Sequence, residues 1–166
     1  FDGMGNHIVH KRYGDGGNQS FRALAIDKTN NEIVAGGSYA PTISYGSTTW
    51  PQFGGIGDIH FARLGTDAGP LWSKATGSAT ANAIESTQAL AVDGNGNVFV
   101  SANFSGNVTI DGTPLTASGN GDFMLLKYGS TGSQLRAKRY GDVSNQTALS
   151  LVTDAAGNLL VAGNNS

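Results

Sequence analysis

Three oxygen-bearing side chains at alternate positions make one short segment of this chain a candidate cation site. Asp93, Asn95 and Asn97 have the spacing at which calcium loops supply oxygen ligands. The calcium-loop signature also requires glycine at the sixth position and glutamate at the twelfth, where this chain has Val98 and Phe104. Asp and Asn also hydrogen-bond their own backbone in turns. We therefore interpret the segment as a structural turn and expect no cofactor, with calcium as the alternative.

Histidines offer two further arrangements that could support chemistry. His7 and His10 lie on a predicted strand, where a separation of three residues places side chains on opposite faces, so we expect no shared metal ion. Asp58 and His60 share a face of another predicted strand, and such a pair can orient a general base. Because the aspartate recurs as Asp122, we interpret it as a loop-closing residue. We predict no catalytic residue in this chain and no enzymatic activity.

An aromatic loop is the third candidate site. Residues 39–57 contain Tyr45, Trp50 and Phe53, and aromatic side chains on a loop can stack on sugar rings or anchor a protein partner. These three residues are our candidate ligand-binding residues. The alternative is that they cap an apolar edge, with Tyr45 in the place of Ile110.

Amide pairs form a fourth group of polar residues. Asn18 and Gln19 recur as Asn145 and Gln146, each pair just before a predicted strand. We interpret the amides as hydrogen-bonding the backbone, because buried loops must satisfy their polar groups. Contact with a polar ligand is the alternative.

An internal repeat determines where all these groups lie. Residues 87–100 have counterparts in residues 22–34 and 149–161, each with an Asp/Asn-rich turn between apolar runs. A period of about 60 residues is too long for a helical-pair solenoid and fits one unit of several strands. The repeat therefore serves as an internal alignment.

Each complete unit is predicted to contain four strands. The predicted first strands are Phe21–Ile26, Thr87–Val92 and Ala148–Thr153, and the second strands are Glu32–Tyr39, Val98–Phe104 and Leu159–Gly163. The third strands are Asp58–Leu64 and Asp122–Tyr128, and the fourth strands are His7–Tyr13, Pro70–Thr76 and Gln134–Tyr140. Consecutive apolar residues, as at 89–92 and 124–126, predict sheets covered on both faces. Four-stranded antiparallel sheets stacked around an axis form a β-propeller, the all-β fold that we predict.

Three segments resemble a known repeat family. Residues 91–100, 104–128 and 71–74 are similar to the bacterial seven-bladed β-propeller repeat family, often abbreviated SBBP. The chain departs from the pattern at residues 40–57 and at Arg136. The resemblance implies a propeller fold and an extracellular or cell-surface location in bacteria.

The repeat divides the chain into four segments. Residues 1–14 are the predicted end of one blade, 15–76 and 77–141 are complete blades, and 142–166 are the first two strands of a further blade. Because a ring needs about four to eight blades, we expect a portion of a larger propeller. The remaining blades would come from the same polypeptide or from an assembly.

Composition excludes several classes of function. The 166 residues include 25 glycines and no cysteine, so a thiolate nucleophile and a zinc–thiolate site are absent. Only 13% of residues are charged and the formal net charge is −2, which provides no basic surface for nucleic acid. No apolar run is long enough to span a membrane as a helix.

Three functions follow as hypotheses. The favoured one is a non-catalytic propeller module that binds a protein or glycan partner, or serves as a scaffold, in a secreted or surface protein. The second is a lectin-like module that uses the aromatic loop. The third is a propeller lyase or hydrolase whose site lies outside this chain.

Overall fold

The structure, a computed structural model, describes residues 2–81, 83–119 and 121–165. Within these ranges the chain forms fourteen strands and no helix, and therefore no helix that could cross a membrane. The strands are β1 (Asn18–Asp27), β2 (Glu32–Ala40), β3 (Thr42–Tyr45), β4 (Thr48–Pro51), β5 (Asp58–Leu64), β6 (Pro70–Thr76), β7 (Ser86–Val92), β8 (Val98–Phe104), β9 (Asn107–Ile110), β10 (Thr113–Thr116), β11 (Asp122–Tyr128), β12 (Gln134–Tyr140), β13 (Gln146–Thr153) and β14 (Leu159–Asn165).

Two four-stranded sheets dominate the fold. The first sheet has the strand order β1-β2-β5-β6, and the middle sheet has the order β7-β8-β11-β12. All neighbours are antiparallel, and three two-stranded hairpins (β3–β4, β9–β10 and β13–β14) complete the architecture. The prediction of an all-β chain with antiparallel sheets is confirmed. In both sheets the third and fourth strands have the predicted bounds.

Two predictions about strands were wrong. Residues 7–13 do not form a strand and pair with no described strand, whereas the equivalent β6 and β12 each pair with a third strand. The hairpins β3–β4 and β9–β10 were not predicted, because strands of four residues leave little alternation to detect. The turn signal was nevertheless present, since Asp111 and Gly112 both take positive φ, as the Asp-Gly turn of a tight hairpin requires.

The two sheets pack face to face. Their shared core contains Phe61 from β5, which contacts the aromatic rings of Tyr128 and Trp72 at centroid distances of 5.3 and 6.3 Å. All seven residues of β5 are buried. The opposite face of β5 contributes Ala62 and Leu64 to a second apolar cluster that includes residues of β3. Burial of β5 on both faces explains why its sequence does not alternate.

The first strands of successive units lie beside one another. Strand β7 contacts both β1 and β13. Side-chain hydrogen bonds tie the units together, from Thr87 Oγ1 to the carbonyl of His60 at 2.9 Å and from Ser101 Oγ to the carbonyl of Ala148 at 3.0 Å. The first strands therefore adjoin at both junctions, and a side-chain hydrogen bond crosses each junction at a different position.

The packing between the two sheets leads to a first prediction. Replacement of Phe61 by Ala should lower the free energy of unfolding by about 3–5 kcal/mol, because it leaves a cavity between the two sheets. Leu125, the equivalent residue of β11, is only half-buried, so Leu125→Ala should cost about 1–2 kcal/mol. Urea unfolding of both variants checks this, and a larger loss in Leu125→Ala would contradict the described core.

Candidate functional site

The candidate calcium ligands lie together, and they hydrogen-bond one another. Asp93 Oδ1 accepts the backbone N–H groups of Asn95 and Asn97 at 2.9 Å, and Asp93 Oδ2 accepts the side-chain amide of Asn97 at 2.8 Å. Asp154 and Asn158 repeat the pattern. Burial alone would raise the pKa of Asp93, but the hydrogen bonds from Asn97 and Asn95 lower it below its usual value. These contacts are the chemistry of a closed turn.

Elsewhere in the described chain, the metal-ligating residue types meet in pairs at most. No group of three or more His, Asp or Glu side chains there is arranged to hold a metal ion. His7 and His10 lie side by side, with Nε2 of His7 3.1 Å from Nδ1 of His10, so the prediction of opposite faces was wrong. It failed because this segment is not a strand, and the alternation of side chains does not apply.

The turn of the first unit is held by a buried arginine. The guanidinium of Arg63 donates to the carboxylates of Asp27 and Glu32, and its Nη1 donates to the carbonyl of Gly96 at 2.7 Å. Gly96 belongs to the turn of the middle unit, so one side chain joins two successive turns. Burial raises the pKa of Asp27, yet hydrogen bonds from Asn30 and the charge of Arg63 bring it below its usual value.

The equivalent cation of the middle unit makes a looser contact. Lys127 takes the position of Arg63 on the third strand, and its Nζ lies 3.6 Å from Asp93 Oδ2 and 4.7 Å from the ring centre of Phe99. This lysine remains partly exposed to solvent. These contacts of the lysine stay within the middle unit, whereas Arg63 reaches the turn of the next unit, because its planar fork can bind several acceptors at once.

Asp58 and His60 share a face of β5, but their side chains join different networks. Tyr45 Oη lies 2.7 Å from His60 Nδ1, and His60 Nε2 lies 2.9 Å from the carbonyl of Ser20. Because a carbonyl only accepts, Nε2 carries the proton and Nδ1 accepts from the tyrosine. Burial lowers the pKa of His60 to about 4. Asp58 instead accepts the backbone N–H of Phe53, so the two residues do not form a catalytic couple.

A second buried carboxyl lies near Asp58. Burial raises the pKa of Asp58 to about 6, and the nearby charge of Glu85 acts in the same direction. Burial also raises the pKa of Glu85. In the middle sheet the equivalent Asp122 has a cation, with Oδ2 2.6 Å from Arg139 Nη1. The strand register places Ala75 where Arg139 stands, so Asp58 has no matching arginine.

Glu85 is a loop-closing residue that the alignment of the internal repeats did not reveal. It accepts the backbone N–H groups of Ser78 at 2.7 Å and Ser105 at 3.3 Å. Register places it at the position of Gln19 and Gln146, which likewise close the loop before the first strand. The longer preceding loop and the change from amide to carboxyl concealed this equivalence in the sequence. The similar size and shape of Glu and Gln is the signal by which the sequence could have revealed this equivalence.

The three aromatic candidates do not form one exposed surface. Tyr45 is buried with its hydroxyl on His60, and Trp50 is half-buried with its Nε1 donating to Ser73 Oγ at 2.9 Å. Both contribute to the second apolar cluster, whereas Phe53 is exposed outside it. The hairpin β3–β4 has the same register as β9–β10, with Tyr45 in the position of Ile110.

The described side chains therefore form internal networks, and none converges on a shared reactive centre. Neither family models of known proteins nor a search of curated proteins gives a match to this chain.

The arginine contact leads to a second prediction. Arg63→Met should lower the free energy of unfolding by about 3–5 kcal/mol, because it leaves two carboxylates without their buried cation. Lys127→Met is the matched control and should cost about 0–1 kcal/mol, since its ion pair is partly solvated. Chemical denaturation measures both values. Equal losses in the two variants would argue against a special role for Arg63.

The buried titratable groups lead to a third prediction, on pH. His60 is neutral in the fold, and its pKa there is lower than in the unfolded chain. Its contribution to stability is therefore lost as pH falls from about 6.5 to 4. Asp58 has a raised pKa, so it opposes this trend: protonation favours the fold as pH falls from about 6 to 4. The raised pKa of Glu85 has the same sign as that of Asp58. We therefore expect a flat stability profile in this window.

Removal of both carboxyls should reveal the pH dependence of stability that His60 causes. The double variant Asp58→Asn/Glu85→Gln should be more stable than the parent at pH 7, by on the order of 2 kcal/mol, and should lose stability between pH 6.5 and 4. Asp122→Asn is the control and should destabilise by about 1–2 kcal/mol, because that carboxylate is paired with Arg139. Unfolding curves across this pH range test both statements. A double variant with a flat profile would contradict them.

Proposed function

We propose that this chain is part of a β-propeller that serves as a non-catalytic binding or structural module in a secreted or cell-surface protein of bacteria. The observation that carries the proposal is the repetition of one junction. Successive units place their first strands together and pack their sheets face to face, which is the arrangement that a propeller extends around an axis.

Apolar residues are exposed on both outer faces, and this exposure is evidence that further sheets pack there. Leu24 on β1 is 70% exposed, whereas the equivalent Leu90 is 6% exposed beneath the first sheet. On the other side Leu160 is 55% exposed, whereas the equivalent Val34 is fully buried against the middle sheet. The same position is thus covered wherever a neighbouring sheet is present. We infer that similar sheets cover Leu24 and Leu160.

Strand β14 leaves room for a third strand beside it. Strand β14 pairs only with β13 among the described strands, so one side of its backbone is unpaired. Beside it lies an apolar cleft of about 610 Å³ between β14 and the middle sheet. At the preceding junction the equivalent space holds β11, with Met124, Leu126 and Tyr128 facing the first sheet. A third strand with apolar residues at alternate positions fits this cleft.

The binding or scaffold role follows from how the polar residues are used. The turn aspartates hold their own loops, His60 is neutral within a hydrogen-bonded network, and Asp58 and Glu85 accept backbone N–H groups. Catalysis by acid and base requires such groups to converge on a substrate. Their engagement within the units supports a module without catalytic activity.

The exposed faces lead to a fourth prediction. The purified chain should self-associate, and Leu24→Lys or Leu160→Lys should shift the equilibrium towards the monomer by at least about tenfold, because each places a charge on an apolar contact face. Leu71→Lys is the matched control: this leucine is exposed on β6, its equivalent Leu135 stays exposed in the middle sheet, which has neighbours on both sides, and the variant should associate like the parent. Sedimentation velocity measures the association.

Electron microscopy of the assembled material tests the propeller itself. Class averages should show sheets arranged radially around a central axis. A flat or linear stack of sheets would overturn the propeller proposal. A chain that stays monomeric at high concentration and binds no apolar dye would show that these faces need no covering sheet, and would also overturn it.

A further inference from the structure

A row of cations lies on the side of the middle sheet that faces the β13–β14 hairpin. Lys127 on β11 pairs in register with Arg136 on β12, and Leu125 pairs with Lys138. Because paired residues point to the same face of a sheet, the three cations share one side. We call them the basic row. They line a groove of about 280 Å³ that reaches the turn of the hairpin at Gly157.

We propose that the basic row docks an acidic β-segment, which pairs with the edge of β14 and places carboxylates beside Lys138 and Arg136. The segment has the form of residues 107–133 of this chain, with a short hairpin, a strand that has apolar residues at alternate positions, and a turn. This inference rests on the proposed function and adds the chemistry of the segment that covers this face.

The first junction shows how such a segment contacts this face. There the hairpin β9–β10 and strand β11 belong to the middle unit, and Lys74 Nζ on β6 lies 2.9 Å from Asp111 Oδ2 in the hairpin turn. Trp72 Nε1, also on β6, donates to the carbonyl of Ser130 at 2.9 Å, in the turn after β11. The fourth strand of one unit is thus contacted by the hairpin and the turn of the next.

The basic row holds the same positions on the middle sheet without this cover. Register places Lys138 at the position of Lys74 and Arg136 at the position of Trp72. Both side chains are exposed, and within the described ranges neither forms an ion pair. The Nζ of Lys138 lies over the ring of Tyr140, 4.9 Å from its centre. Equivalent positions are therefore covered at one junction and open at the other.

The change from tryptophan to arginine favours an acidic occupant. Trp72 donates one hydrogen bond to a carbonyl, whereas an arginine carries a permanent charge and a planar fork that a carboxylate binds with two parallel hydrogen bonds. Among the described residues that line the groove there is no Asp or Glu. A neutral segment would therefore cover Arg136 and Lys138 without supplying a counter-charge, and burial of an unpaired charge costs free energy.

The edge of β14 sets the course of the segment. Leu159 and Val161 line the apolar cleft beside this edge, at the positions where Val98 and Val100 pair with β11 in the middle unit. The cleft and the groove meet at Leu159, which lines both. A strand in this cleft would gain backbone hydrogen bonds from β14 and would bring its hairpin and turn to the basic row.

Charge argues against one other occupant, the segment 7–13 of a second copy of this chain. That segment contains Lys11 and Arg12 and no acidic residue. It would place like charges beside the basic row, which opposes binding.

Binding of synthetic peptides to the intact chain tests the proposal. The first peptide has the sequence of residues 107–133 and a fluorescent label, the second carries Asp111→Asn, and the third carries Ser130→Asp. Fluorescence anisotropy at low salt measures each affinity. We expect a Kd on the order of 100 μM for the first peptide. The second should bind about threefold more weakly and the third about threefold more tightly, because each change alters one ion pair.

Substitutions in the protein identify the cations. Lys138→Met should weaken binding of the first peptide about threefold and leave binding of the Asp111→Asn peptide unchanged, because both changes remove the same ion pair. Arg136→Met should likewise abolish the gain that Ser130→Asp provides. Both side chains are exposed, so these variants should fold. Arg22→Met is the matched control: this arginine is exposed on β1, and the variant should bind like the parent.

The outcomes separate this proposal from that of the propeller. Failure of all peptides to bind, or equal affinities for the three peptides, would overturn the acidic segment. Equal affinities would still support a strand docked beside β14, and so would leave the propeller proposal standing. Charge-dependent binding by a chain whose assemblies show no radial sheets would overturn the propeller and keep the acidic segment. If a protein variant is unfolded, the three affinities measured with the parent chain decide.

The control variant guards against a general effect of charge. A loss of affinity in Arg22→Met as large as that in Lys138→Met would overturn the assignment to the basic row, because the peptide would then respond to the net charge of the protein.

Discussion

The described structure depends on one buried cation, Arg63. Its guanidinium gathers two carboxylates from its own unit and a carbonyl from the next, so it fixes the end of one sheet relative to the end of the following one. Apolar packing between sheets is strong but has no strict direction. A planar fork with several acceptors supplies the direction, since it tolerates little displacement of either turn. At the junction between the first and middle units, this contact therefore adds direction to the apolar packing.

Near the other end of the units, buried polar groups have opposite effects on the pH dependence of stability. His60 is held neutral, while the carboxyls of Asp58 and Glu85 are held where their charged forms are disfavoured. The network is only partly satisfied, because Asp58 Oδ1 is buried without a hydrogen-bond partner among the described residues. The junction between the first and middle sheets therefore contains a buried carboxyl whose burial costs stability.

Much of the strand framework could be predicted from the sequence, because its signals are local. Turns rich in Asp, Asn and Gly bound the strands, and the third strand Asp58–Leu64 stands out as a run without alternation. The role of Arg63 could not be predicted, since it depends on which turns meet in space. Glu85 escaped for another reason: it replaces a glutamine after a longer loop, and the equivalence becomes visible only through the pairing register. The basic row likewise depends on strand pairing, because its cations lie on two different strands.

The absence of an arginine beside Asp58 bears on how such chains grow by duplication. The middle unit carries Arg139 against Asp122, and it begins with Glu85 at the position that faces the preceding third strand. If that unit were copied in tandem, each new junction would place the pair of Asp122 and Arg139 where Asp58 now lies near Glu85. Two carboxyls would then share one cation, whereas the present first junction has Ala75 in its place. The middle unit is thus better suited to follow itself than to follow the first, and an array of identical middle units would have the more favourable electrostatics at every junction.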